Sequence, residues 1–159
     1  MNTHQKLKSL EKCIYSWMAR NGVTALRLSM GIVFFWFGFQ KFFPGVSSAQ
    51  DIATRTIEVL SFGIVPPALS MPLLAAWEVL IGLGFLTGKF IKATVVLLFL
   101  QMAGTFAPLV VFPAETFSVV PIVPTIVGQY IIKNIVLIAA GFIILAHHQG
   151  MLTVKDQKD

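Results

Sequence analysis

The sequence predicts an all-α integral membrane protein, a four-helix bundle with an N-terminal amphipathic interfacial helix and a short helix in its first outer loop. Three observations predict it. The 159 residues are 56% hydrophobic and 12% charged, about half the charge of a soluble domain. Mean hydropathy is +0.80. Four apolar runs are each long enough, at 1.5 Å per residue, to cross a hydrocarbon core about 30 Å thick.

Residues 1–22 read as the cytoplasmic interfacial segment. Leu7, Leu10, Ile14, Trp17 and Met18 recur at helical spacing, with Lys6, Lys8, Glu11 and Lys12 on the other face. A basic face opposite a Trp-bearing apolar face suits the headgroup region. Asn21-Gly22 is expected to break this helix.

The membrane domain covers about 23–147, with spans at about 23–43, 70–87, 93–111 and 129–146. Arg27 lies one turn inside the first span and is expected to act as an interfacial anchor, snorkelling to the headgroups. Pro44-Gly45 stops that span. Ser48 and Asp51 resemble a capping box for a short helix over about 49–61. Pro66-Pro67 ends the connection, and Ser70 is the expected N-cap of the second span. Gly104 and Pro108 are expected to bend the third span. Residues 112–128 hold Pro113, Pro121 and Pro124 and read as a loop or a re-entrant segment. A polar tail, 148–159, carries Lys155 and Lys158.

Basic residues set the orientation. Lys6, Lys8, Lys12, Arg20, Lys89, Lys92, Lys155 and Lys158 fall on one side if there are four spans. Both termini are then cytoplasmic. The net charge of +5 serves this orientation, and no continuous basic surface for nucleic acid is present.

One carboxylate stands inside a long apolar run. Glu78 occupies the stretch from Pro72 to Leu86. An ionisable residue near a bilayer centre costs about 2.5–3.5 kcal/mol on insertion scales. It therefore seeks a basic partner in the bundle interior. Lys41, about a turn from the outer end of the first span, and Lys133, about a turn from the outer end of the fourth, are the candidates. Glu78 would lie about two turns into the second span from the same side. Gln101, Asn134 and Gln129 can add hydrogen bonds. The ligand-binding polar cluster is thus Glu78, Lys41, Lys133, Gln101 and Asn134.

No resident cofactor is identifiable. His4, His147 and His148 lie at chain or helix ends, unsuited to haem. Cys13 has no partner for zinc or for an intrachain disulfide. No metal site is expected. An electron carrier, if one acts here, is a bound quinone or sits in a partner subunit.

The elements Leu26-Arg27-Leu28 with Gly31, Gly38 with Lys41-Phe42, Glu78 with Gly82, and Lys133-Asn134 before an apolar run together resemble the DoxX-like family of small bacterial membrane proteins. The stretch from Phe106-Ala107-Pro108 to Glu115 is similar to its branch linked to reactive-chlorine resistance. The resemblance implies a four-helix bundle in the bacterial inner membrane, with Arg27, Lys41, Glu78 and Lys133 at the family's polar positions. One member is a subunit of a thiosulfate:quinone oxidoreductase, and others are associated with oxidative or thiol stress.

Three readings follow. The first is a redox-linked protein binding a quinone-like lipid-soluble molecule at the cluster, without enzyme activity of its own unless the quinone or a partner supplies it. The second is a small-solute or ion carrier using Glu78. The third is a non-catalytic accessory subunit that holds a partner in the membrane and whose cluster is architectural; a membrane partner subunit or a homo-oligomer is the expected association. A quinone site predicts a lipid-open pocket beside Glu78, a carrier a water path to it, and an accessory subunit a closed pair.

Overall fold

A computed structural model describes residues 3–152. Lys155 and Lys158 of the expected tail lie outside the described residues. The long elements are α1 (Thr3–Gln40), α2 (Gln50–Leu60), α3 (Pro67–Thr87) and α4 (Ile91–Phe106). After them come α5 (Pro108–Val111), α6 (Pro113–Thr116), the two-stranded hairpin β1 (Phe117–Val119) and β2 (Val123–Pro124), α7 (Ile126–Ile132) and α8 (Ile135–His148). Among the described residues four helical segments are long and apolar enough to span a membrane: α1, α3, α4 with α5 (Ile91–Val111), and α7 with α8 (Ile126–His148).

The expected break at Asn21-Gly22 is absent. α1 runs unbroken for 38 residues, about 57 Å. Asn21 stays helical and its side-chain amide donates to the Trp17 carbonyl at 2.9 Å. One asparagine and one glycine cost about a kcal/mol each in propensity, too little to stop a helix with good formers on both sides.

The third helix begins three residues earlier than expected. Pro67 occupies its first turn, where a missing N–H costs nothing. Ser70 is therefore not an N-cap. It is fully buried, and its hydroxyl donates to the Pro66 carbonyl at 3.3 Å. The expected capping box of α2 is absent too. Its N-cap is Ala49, with no side-chain cap bond, and Gln50 instead turns its amide oxygen back to the Gly45 N–H at 2.7 Å.

The stretch expected as a loop or re-entrant segment is a short helix and a hairpin. Phe117 pairs with Pro124 and Val119 with Val123. Thr125 then starts α7: its hydroxyl accepts from Gly128 N at 3.2 Å and donates to the Glu115 carbonyl at 2.7 Å. The fourth span loosens at Lys133-Asn134. Asn134 N bonds the Ile131 carbonyl at 3.1 Å, a tighter i to i−3 turn. The Tyr130 carbonyl accepts instead from the Asn134 side chain at 3.0 Å, the local competition that Asn offers a helix.

The core sits between α1, α3, α4 and α8, around Phe34, Ile81, Phe85, Leu98 and Ile144. α1 and α3 approach most closely. A Cβ at Gly82 would lie 2.4 Å from the Phe35 nitrogen, and one at Gly38 would lie 2.8 Å from the Glu78 Cβ. Glycine lets the backbones meet, as small residues do between membrane helices.

Candidate functional site

These close approaches also fix an antiparallel register. Gly31 faces Leu86, Phe35 faces Gly82 and Gly38 faces Glu78 and Val79. α1 ends at Gln40, so it stops about three turns short of the level where α3 begins. Residues 41–49 and α2 follow, and α2 packs against α3, α4 and α5.

Lys41 is the first residue beyond the end of α1. Glu78 is the twelfth of the 21 residues of α3, near the middle of the span. It lies about 16 Å from the start of α3, one turn deeper than expected, because Pro66-Pro67 opens the helix sooner. The early stop of α1 brings Lys41 down to the same depth.

The Lys41 ammonium meets Glu78 Oε2 at 2.5 Å and also donates to the Phe37 carbonyl at 3.3 Å. The Gln101 amide of α4 donates to Glu78 Oε1 at 3.0 Å. Both carboxylate oxygens are thus satisfied, one from the residue after α1 and one from α4. The Lys41 and Glu78 side chains are each 11% exposed. Beside them the Trp77 indole N–H donates to the Leu97 carbonyl at 3.1 Å, which holds α3 and α4 in the register the triad needs. A charged pair taken out of water is tolerated when its remaining valences are hydrogen-bonded.

Two expected members stand elsewhere. Lys133 is exposed, with its ammonium 5.3 Å from the centre of the Tyr130 ring. Asn134 spends its amide on the Tyr130 and Ile131 carbonyls. Gln129 is exposed as well.

Arg27 turns to the end of the neighbouring helix. Its guanidinium donates to the Phe85 carbonyl and, at 3.2 Å, to the Leu86 carbonyl. These are carbonyls of the last turn of α3, left without helical partners. The helix ends there because Gly88 adopts a left-handed conformation, φ 68°. A positive charge at a helix C-terminus also complements the macrodipole.

A second polar group escaped the sequence reading. Arg55 of α2 donates to both Glu115 oxygens, at 2.7 and 2.5 Å. It also donates to Asp51 Oδ2 at 2.8 and 3.1 Å and lies 4.9 Å from the centre of the Phe112 ring. Hydrogen bonding to Glu115 holds the guanidinium above its ordinary value. The bond from Arg55 holds the Glu115 carboxyl below its own. Asp51 and Arg55 are spaced i, i+4 on one helix, a visible signal. Their link to Glu115, sixty residues on, leaves none.

Two apolar recesses open on the surface of the spans. One, of about 200 Å³, is lined by Ile32, Phe35, Trp36, Phe39, Gln40 and Leu86. The other, of about 280 Å³, lies between Phe99, Met102, Phe106 and Phe142. Neither is lined by Lys41, Glu78 or Gln101.

Comparison with curated proteins and with solved structures finds no match. The DoxX family model matches residues 22–112. The match contains Arg27, Lys41, Glu78 and Gln101 and ends before Lys133. It covers more than half of the chain, and the protein is a member of the DoxX family of membrane proteins.

Proposed function

We propose that the protein is a redox-linked membrane protein whose Lys41–Glu78–Gln101 triad receives the polar head of a quinone-like lipid-soluble molecule. One observation carries this reading: an ammonium, a carboxylate and a primary amide from three segments converge near the middle of a membrane span. Lipid-soluble molecules reach that depth, and polar groups there are usually functional. The donor set fits the group. Lysine and glutamine donate to a carbonyl, and the carboxylate accepts from a hydroxyl. When bound, the quinone supplies two-electron redox chemistry. The chain supplies a carboxylate and an ammonium able to hold a proton beside it. The lipid-open pocket expected beside Glu78 is not among the two recesses, so in this reading the 41–49 segment gives way to admit the ligand. In this reading the setting is a bacterial inner membrane, with oxidative stress as the occasion and both termini cytoplasmic.

A second reading, a non-catalytic accessory subunit, is favoured by the saturation of the triad. Among the described residues no buried side-chain polar atom lacks a partner. The triad would then only fix helix register.

Native mass spectrometry of the detergent-purified protein, with identification of extracted lipid, separates the two. The quinone reading expects a quinone retained by the wild type and lost at least tenfold in Glu78→Gln. Phospholipid alone, unchanged by the substitution, contradicts it and leaves the accessory subunit.

A further inference from the structure

The unbroken α1 leaves an apolar stripe without a partner among the described residues. At about 100° per residue, Leu7, Leu10, Ile14 and Trp17 fall on one strip, and all four are exposed. Continued along the same helix, Leu28, Ile32, Phe35 and Phe39 fall on that strip too, and they are also exposed. The adjoining face carries Gly31 and Gly38, which meet α3, and Phe35 at the edge of the strip lies against Gly82. The strip is clear of the described bundle from Leu7 to Trp17 and borders the α3 contact in its membrane half, where Ile32, Phe35 and Phe39 share a recess with Leu86.

Lipid can cover only part of it. Val23 is the first residue of α1 packed against the core, so about 30 Å of helix precedes the bundle. α1 is antiparallel to a membrane span and has no break at which to turn onto the bilayer surface. Leu7 to Trp17 therefore stand beyond the bundle, their apolar side covered by no other described residue.

We propose that this stripe is the seam of a parallel homodimer, with α1 of one copy packed along α1 of a second. Two copies inserted alike in one bilayer present α1 parallel. The spacing is that of a two-stranded seam: steps of three and four from Leu7 to Asn21, one extra step of four to Ala25, then three and four again to Phe39. The inserted four residues keep the strip on one side of a straight helix. With Leu7 at an a position, Lys6 falls at g and Glu11 at e. In a parallel pair g faces the following e of the other helix. Lys6 of each copy then meets Glu11 of the other, and both residues are exposed. Asn21 falls at an a position, where one polar residue fixes register and favours two strands. Beside Phe39, Gln40 borders the 200 Å³ recess, which the seam would close.

Cysteine cross-linking in native membranes tests this, in a Cys13→Ser background that leaves no other thiol. Leu10→Cys, Ile14→Cys, Ile32→Cys and Phe39→Cys are expected to give disulfide-linked dimers several-fold more than Lys8→Cys and Ser16→Cys on the opposite side. Equal yields on both sides, no cross-linking, or cross-linking at 32 and 39 alone overturns the seam. Native mass spectrometry gives an independent reading. Wild type is expected as a dimer, Lys6→Glu with a several-fold lower dimer fraction, and Lys6→Glu with Glu11→Lys restored. A monomeric wild type, or a double exchange that fails to recover, contradicts the proposal.

Discussion

Glu78 was legible because a carboxylate in an apolar run must be paired. Its choice of Lys41 over Lys133 was not. That choice depends on where α1 stops and on the turn at Lys133-Asn134, and both are set by contacts between elements. Arg27 shows the same limit. Its sequence position gives a basic residue near a helix end, but whether it bonds headgroups or the carbonyls of Phe85 and Leu86 depends on the length of α3. The glycines are a sharper case, since sequence offers twelve and the structure ranks them. Gly82→Ala is expected to destabilise the protein by about 1–3 kcal/mol, as overpacking does, because its Cβ meets the Phe35 backbone. Gly104→Ala, with nothing within 4 Å, is expected to leave thermal unfolding in detergent unchanged or slightly raised. Equal effects at the two positions would contradict the α1–α3 register.

At the scale of elements, hydropathy located every span. The ends were set by local chemistry: prolines at the start of α3, the Thr125 cap of α7, the left-handed Gly88. The hairpin was illegible because two short strands broken by prolines carry no alternation to read. α2 was legible as a helix, while its attachment was not. Arg55 ties it to Glu115 of α6. The sign of the pH dependence follows from the carboxyl. Glu115 is held below its ordinary value of 4.5, so the tether is complete above that pH and weakens only as pH falls through the lower folded value. The pair is exposed, so salt also weakens it. Amide hydrogen exchange in α2 is expected to stay flat from pH 7 to 5, after correction for intrinsic rates. Protection is expected to fall in molar salt and in Arg55→Ala. Protection unchanged in Arg55→Ala would show that apolar packing alone holds α2.

At the scale of the molecule, four spans enclose one apolar core and one charged triad. The early stop of α1 links the two, since it brings Lys41 to mid-span depth and leaves 41–49 and α2 to complete that end of the bundle. This arrangement was not legible from hydropathy, which reads the first span as a full crossing. The central claim is that Lys41, Glu78 and Gln101 act as one unit. A double-mutant cycle on thermal unfolding in detergent tests it most directly, with Lys41→Met, Glu78→Gln and the pair. Removing one member of a buried ion pair costs about 3–5 kcal/mol, whereas removing both can approach neutrality. Each single variant is expected to be clearly destabilised, and the double variant to be more stable than the sum of the two by at least about 1 kcal/mol. Strict additivity, with Lys41→Met no worse than Lys133→Met, would show that the two charges do not meet, and the site would have to be rebuilt.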